Sequence, residues 1–197
     1  MFVGHLAVAF GAKSLDKKLP LGLLIGASFG IDILWPAFLL LGVETVRIDP
    51  GNTAFTPLDF VSYPWSHSLL LVVVWSVLLG GAAYKFGISK RGATLTGLVV
   101  LSHWVLDFAT HRPDLPLWPG SELVGLGLWN SVAGTLVVEG ALLAVCLGLY
   151  LKAVSVATVK SKIALWSLVA LCVTIWASQP WSPAPPDAQT VAFVGLT

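Results

Sequence analysis

The residues with the greatest capacity for chemistry are a few ionisable side chains that stand inside otherwise apolar segments. They belong to three stripes with i, i+4 spacing: His103, Asp107 and His111; Ser28 and Asp32; Ser131, Thr135 and Glu139. This spacing puts each stripe on one face of a helix. Imidazole and carboxylate groups at HxxxD spacing are typical ligands of a divalent transition metal. The pattern indicates a metal site, and a buried hydrogen bond between His103 and Asp107 is the simpler alternative.

The depth of these residues in a membrane can be estimated by counting from the nearest lysine or arginine at about 1.5 Å per residue. Four groups then lie about 18 to 21 Å above the basic ends of their segments: His5, Asp32, His103 and Glu139. Asp107 lies one turn further on, His67 higher still, and His111 at the outer surface. We therefore expect a funnel of polar groups that opens away from the basic end.

The composition indicates what kind of chain positions these groups. Of the 197 residues, 56% are hydrophobic and only 11% are charged, whereas an ordinary soluble domain is about 25% charged. Apolar runs of about 20 residues recur, and this length spans a bilayer. The net charge of +1 and the absence of a long basic run argue against a nucleic-acid partner. Cys146 and Cys172 lie in apolar runs, where we expect buried free thiols.

Hydropathy predicts an all-α integral membrane protein, with an N-terminal half-helix and about five transmembrane helices in one bundle. The predicted spans are residues 20–42, 66–84, 93–111, 124–151 and 162–178. The apolar stretch 2–12 reaches only about 16 Å, half a hydrocarbon core, which predicts a half-helix packed inside the bundle. We interpret residues 1–178 as a single transmembrane domain. Residues 179–197 are predicted to form an extracytoplasmic, Pro-rich tail in an exposed coil.

The basic residues predict the orientation. Nine of them fall in three alternate loops: Lys13, Lys17 and Lys18; Lys85, Lys90 and Arg91; Lys152, Lys160 and Lys162. Because basic loops face the cytoplasm, the long loop 43–65 and the C-terminus are expected outside. Several aromatic residues at the outer ends of the spans are expected to form an interfacial belt: Tyr63, Trp65, Trp118, Trp176 and Trp181.

Four elements of the sequence resemble a known family. They are His5 near the start, Asp32 in GIDILWP, His67 in PWSHSLLL, and SHWVLDFATHRPDLPLWPG from His103 onward. Over residues 1–150 they are similar to the bacterial membrane-bound metal-dependent hydrolases. The resemblance implies that His5, Asp32, His67, His103 and Asp107 are the metal ligands, and that the chain lies in the bacterial inner membrane. The family's first Pro-Asp-x-Asp pattern is here Phe-Gly-Ile-Asp over residues 29–32, so one carboxylate is missing.

Together these observations predict a metal-dependent hydrolase that acts on a lipid-like or amphipathic ester or phosphoester in the bilayer. The metal is expected to be zinc, with manganese as the second choice. Glu139 is the expected general base, with His111 as the next candidate. Arg112 is expected to contact an anionic head group, and Asn130 to cap the fourth span beside the substrate. In the simpler alternative, Glu139 is a hydrogen-bonded buried acid, and His111 and Arg112 are solvated interface residues.

Two other classes of function remain open. Intramembrane His and Asp residues also build relays, so the same cluster would serve a metal-ion or proton transporter or channel. A relay needs polar groups that continue to the cytoplasmic side, where the sequence offers mainly leucine and valine. A purely structural cluster would fix the helix register and bind no metal. The sequence predicts no oligomeric state.

Overall fold

A computed structural model describes residues 1–196, in which a bundle of helices carries two small hairpins at one end. The helices are α1 (Val3–Leu15), α2 (Leu21–Leu40), α3 (Pro64–His67), α4 (Leu69–Lys85), α5 (Lys90–Thr110), α6 (Val132–Ala153), α7 (Val159–Ser178) and α8 (Ala188–Leu196). The hairpins pair β1 (Thr45–Ile48) with β2 (Leu58–Ser62) and β3 (Leu115–Pro116) with β4 (Leu123–Val124), both antiparallel. Two 3-10 helices occupy Leu128–Asn130 and Gln179–Trp181.

The predicted all-α membrane bundle is confirmed. Four of the described helices, α2, α5, α6 and α7, are long and apolar enough to cross a membrane, and α4 is an apolar helix of 17 residues. At about 1.5 Å per residue α4 reaches about 25 Å, close to the shortest span that crosses a bilayer. Their outward faces are apolar and exposed, as at Val77, Val137 and Leu171. These faces fit a hydrocarbon environment.

The short helix α1 is the centre of the bundle, as the half-helix prediction requires. It has 13 residues, and α2, α5, α6 and α7 pack around it. The rings of Phe10 on α1 and Tyr150 on α6 are 5.1 Å apart between their centroids. The helix α1 ends near the basic loops, and the residues at its start, Met1 and Phe2, line a cavity described below.

The basic loops lie together at one end of the bundle. The Lys13 ammonium donates to the carbonyl oxygens of Lys17 and Leu19, and the Arg91 guanidinium donates to the carbonyl oxygen of Leu15. These bonds tie the α1–α2 loop to the start of α5. The orientation of this end toward the cytoplasm stays a prediction.

The helix that carries the HxxxD pair is fixed by close packing against α4. Gly80 and Gly97 let the two backbones approach, since a Cβ on Gly97 would lie 3.0 Å from the carbonyl oxygen of Ser76. The Ser76 hydroxyl donates to the Gly97 carbonyl oxygen at 2.7 Å. Serine side chains cap the starts of α4, α5 and α6. The cap of α6 is Ser131, which directly follows Asn130 and begins the polar stripe of this helix.

The C-terminal segment differs from the predicted exposed coil. After the 3-10 helix, Asp187 accepts a hydrogen bond from the Thr190 amide and α8 follows, packed along α2. Ala192 is fully buried, and Gly195 lies against the ring of Pro36. The four prolines of this segment precede α8 and therefore do not interrupt it. The C-terminal segment therefore covers the half of α2 that lies farther from the basic loops.

Candidate metal centre

Five side chains from four helices meet near the middle of the bundle. They form two overlapping groups whose possible ligand atoms lie within 4.8 Å of one another: His5, His103 and Asp107; Asp32, His67 and His103. The half-helix α1 supplies His5, α2 supplies Asp32, α3 supplies His67, and α5 supplies the HxxxD pair. The structure thus brings together all five residues that the sequence analysis assigned to the metal.

The distances within the cluster are short and centre on His103. Its Nε2 atom is 3.1 Å from Asp107 Oδ2 and 3.5 Å from Asp32 Oδ1. His67 Nε2 lies 3.7 Å from Asp32 Oδ1 and 3.8 Å from Asp107 Oδ2, and His5 Nε2 lies 3.2 Å from Asp107 Oδ1. The His5 and His103 rings are stacked, with centroids 3.8 Å apart.

The donor atoms of this cluster fit a bound cation. His103 Nδ1 lies 2.9 Å from the Ser28 carbonyl oxygen, which only accepts, so Nδ1 carries a proton. Nε2 is the atom that faces the carboxylates of Asp32 and Asp107. Nε2 of His103 and both ring nitrogens of His5 are buried without a hydrogen-bond partner. A cation held between these nitrogens and the carboxylate oxygens of Asp32 and Asp107 would balance two negative charges in a low dielectric. Imidazole nitrogen and carboxylate oxygen are also the donors that zinc and manganese accept.

A second layer of hydrogen bonds orients His67. Its Nδ1 lies 2.7 Å from Ser66 Oγ, and that hydroxyl donates to Glu44 Oε2, also at 2.7 Å. Glu44 further accepts from the amides of Trp65 and Ser66. Burial raises the pKa of the Glu44 carboxyl, and the bonds from Ser66 and Trp65 oppose this shift. Since the Ser66 proton points to Glu44, His67 donates from Nδ1 and directs the lone pair of Nε2 to the cluster.

We expect Ser66→Ala to weaken metal binding by about 10-fold to 100-fold, because loss of such an orienting partner has this effect in other metal sites. Titration of the purified protein with zinc against a chromophoric chelator measures the affinity. Ser102→Ala is the matched control, since the Ser102 hydroxyl bonds only the Val99 carbonyl of its own helix. Equal zinc affinities in the two variants would show that Ser66 does not orient a metal ligand.

A second polar network lies toward the end opposite the basic loops. His111 Nδ1 is 2.9 Å from Asp114 Oδ1, and the Tyr63 hydroxyl donates to the same oxygen at 3.0 Å. Burial and the neighbouring Asp114 charge raise the pKa of Tyr63 well above its ordinary value, so Tyr63 remains a donor. His111 therefore carries its proton on Nδ1. Its Nε2 atom has no hydrogen-bond partner among residues 1–196.

His111 does not lie at an open outer surface, contrary to the sequence prediction. Its side chain is 3% exposed and lies against the rings of Trp129 and Phe60, with centroids 4.4 and 4.8 Å away. The β1–β2 hairpin and the 3-10 helix before α6 fold over the end of α5. Counting along a helix gives the depth of a residue but not what covers it.

The other residues predicted to meet the substrate are placed differently. The Arg112 guanidinium lies 2.5 Å from Asp59 and 3.3 Å from Asp114, and Asp59 also binds Arg47 at 2.5 Å. Arg112 thus holds the outer loops together. Asn130 is exposed, and neither residue is part of the cavity wall described below.

Glu139 lies beside the cluster and is fully buried. Its Oε2 atom accepts from the backbone amides of Phe2 at 2.9 Å and Gly4 at 3.2 Å, so it satisfies amides that the first turn of a helix leaves unpaired. This contact fixes the start of α1 and hence His5. The α-amino group of Met1 contacts Asp107 close by. A catalytic role for Glu139 stays a prediction.

A cavity of about 720 Å³ opens onto the cluster, within the range usual for ligand sites. Its polar wall includes Asp32, His67, Asp107 and His111 near the cluster, and the uncharged side chains of Thr56, Gln179, Ser182 and Thr190 elsewhere. The remaining wall is largely apolar and comes from α2, the loop before β2, the 3-10 helix at Trp129, the end of α7, and α8. Asp32 keeps 37% of its side chain exposed, although it stands within a predicted span. The cavity therefore gives access to the cluster.

Spanning helices around a buried group of three histidines and two aspartates define an integral membrane protein with an intramembrane polar site. A family model described as YdjM inner membrane protein matches residues 48–182, and the chain belongs to this family. The matched range includes His67, His103 and Asp107, whereas His5 and Asp32 precede it. No curated protein and no solved structure matches the chain. The family and the four spans identify an integral inner-membrane protein.

Several residues of the site were missed by the sequence analysis. Tyr63 was predicted to lie in an interfacial belt, but it is 1% exposed and bound to Asp114. Glu44 lies in a loop without a recognisable motif. Ser66, next to His67, was the one local signal, because a hydroxyl beside a ligand is a common orienting partner.

Proposed function

We propose that the protein is a membrane-embedded, metal-dependent hydrolase of lipid-like or amphipathic esters or phosphoesters. The observation that supports this proposal is the position of the His/Asp cluster at the polar end of a largely apolar cavity. The residues that would hold the metal are His5, Asp32, His67, His103 and Asp107. Zinc, or manganese as second choice, would there supply Lewis acidity for water activation and for polarisation of a substrate oxygen.

Within this proposal His111 acts as the general base. It lines the same cavity as Asp32, His67 and Asp107, and its proton on Nδ1 leaves Nε2 free to accept a proton from water. Asp114 is a positioning residue, because it fixes the tautomer and the ring orientation of His111. Glu139 lies outside the cavity wall and its Oε2 atom already accepts two amides. Oε1 of Glu139 is buried without a partner, so the choice of His111 as the base rests on its place in the cavity wall, from which Glu139 is absent.

The position of the cavity argues for hydrolysis over transport. A metal-ion or proton transporter needs a polar path from the cluster to the basic end of the bundle. The buried side chains in that direction are apolar, among them Leu6, Phe10, Val99, Leu143 and Leu147. Thr96 is buried there too, but its hydroxyl bonds the Gly92 carbonyl oxygen of its own helix. From the basic loops we further propose that the cavity and the C-terminus face the outer side of the membrane.

The hydrolase proposal is tested with purified protein and a panel of lipid phosphates and lipid esters, with and without chelator. We expect product release that stops when the metal is removed and returns when zinc is added. Proteoliposomes are assayed in parallel for metal and proton flux, and we expect none. Flux that depends on Asp107, in the absence of any hydrolysis, would replace the hydrolase by a transporter. If the purified protein contains no metal and shows neither hydrolysis nor flux, the cluster has a structural role only.

A further inference from the structure

The cavity lies beside the start of α1, between helices α2 and α7. Met1 and Phe2, at the start of α1, line its inner end. Phe29 and Ile33 of α2 line one side, and Ile175 of α7 lines another. The cavity is therefore a space between spanning helices, at the depth of lipid chains.

Part of the cavity rim faces the surroundings of the bundle sideways. Ile33 and Ile175 line the cavity, yet they are 50% and 44% exposed. Both stand on helices that are long and apolar enough to cross the membrane. Among residues 1–196, α2 packs mainly on α1, α5 and α8, and α7 packs on α1, without an extensive contact between α2 and α7. The rim between these two helices is thus apolar and continuous with a lipid-facing surface.

The outer end of the cavity is covered, in contrast to its side. Pro183 and Pro185 precede α8 and line the cavity together with Thr190 and Val191. The contact of Gly195 with Pro36 holds α8 against α2. In the described chain the cavity wall includes no lysine or arginine. Apart from the cluster, His111 and four uncharged polar side chains, the residues of this wall are apolar.

We propose that the cavity binds the hydrocarbon chain of a membrane lipid, which enters sideways between α2 and α7 near Ile33 and Ile175. A lipid that enters there brings its ester or phosphoester linkage to the polar end, beside Asp32, His67 and His111. Hydrolysis of this linkage rests on the proposed hydrolase function, whereas binding of the hydrocarbon chain does not. Binding of the chain follows from the shape and the apolar wall of the cavity.

The test uses the full chain in nanodiscs that contain phosphatidylethanolamine with a diazirine in one acyl chain. After illumination, mass spectrometry identifies the labelled peptides. We expect label on the peptides of Phe55 and Trp129, which line the cavity, and Phe55 is only 2% exposed. Label at lipid-facing Val77 of α4, which is 68% exposed, serves as the internal reference.

A tryptophan at the rim narrows the side opening, so Ile175→Trp should lower the Phe55 and Trp129 label at least about 5-fold relative to Val77. Leu171→Trp is the matched control, because Leu171 lies one turn earlier on α7, is 59% exposed and does not line the cavity. Ile33→Trp tests the opposite side of the rim and replaces Ile175→Trp if that variant does not fold. Unchanged label in the rim variant would overturn the sideways route, and no label above background at Phe55 and Trp129 would overturn chain binding.

The labelling needs no turnover, so it separates this inference from the hydrolase proposal. Label in the cavity together with intact lipid esters and phosphoesters would leave the chain site standing and remove the hydrolase. If the protein hydrolyses a water-soluble phosphoester but its cavity takes no label, the hydrolase proposal stands and the proposed chain site is overturned. Repetition of the labelling with His103→Ala shows whether chain binding requires the cluster, and we expect the label at Phe55 to remain.

Discussion

Replacement of His103 by alanine is expected to remove the metal from the purified protein and to abolish chelator-sensitive hydrolysis. His103 belongs to both groups of possible ligands, and its Nε2 atom lies between Asp32 and Asp107. Without this imidazole, two carboxylates remain close together in a dry interior with one donor fewer to hold a cation. Elemental analysis should fall from about one metal per wild-type chain to less than about a tenth of that, because ligand loss collapses metal affinity.

His111→Gln is the control for this experiment, since His111 lines the cavity but belongs to neither ligand group. It should keep its full metal content. Asp107→Ala should behave like His103→Ala, because the two residues form the HxxxD pair. Unchanged metal in both His103→Ala and Asp107→Ala would exclude that pair from the site.

The second large effect is expected in turnover without loss of metal. If His111 is the general base, His111→Gln should lower kcat by about 10²-fold to 10⁴-fold, the usual contribution of such a group. Asp114→Asn should cause a smaller loss, because the amide no longer favours the proton on Nδ1 of His111. Steady-state kinetics over a range of pH, with metal content measured on the same samples, give the result.

Glu139→Gln decides between the two candidate bases. The amide oxygen of glutamine still accepts from Phe2 and Gly4, so the start of α1 should stay in place. A loss in Glu139→Gln larger than that in His111→Gln, with metal retained, would assign the base to Glu139. A loss of metal in Glu139→Gln would instead indicate that the start of α1 had moved and carried His5 with it.

Part of the cluster could be predicted from the geometry of straight helices, whereas the full set of five ligands, with His67 among them, was implied by the family resemblance. A rise of about 1.5 Å per residue gives the depth of each polar group, and i, i+4 spacing gives its face. These two rules indicated that His5, Asp32 and His103 share one level. They also predicted α1 as a half-helix, since its apolar stretch is too short to span a bilayer.

The parts that could not be predicted depend on contacts between distant segments. Glu44 reaches Ser66 only because the β1–β2 hairpin brings the two together, and no periodicity encodes that pairing. Tyrosine is typical of membrane interfaces, but the same hairpin buries Tyr63 in the protein. Gly195 of α8 packs closely on Pro36 of α2, where a Cβ would clash, and the Pro-rich composition of the tail gives no indication of this contact.

The apolar packing around α1 also makes the site accessible to water from one end of the bundle only. Apolar side chains such as Leu6 and Phe10 fill the bundle between the cluster and the basic loops, with no measurable exposure. A lipid product would therefore leave by the flank between α2 and α7, and protons would exchange with the end of the bundle opposite the basic loops. Proton exchange at the site would then follow the acidity of one compartment only.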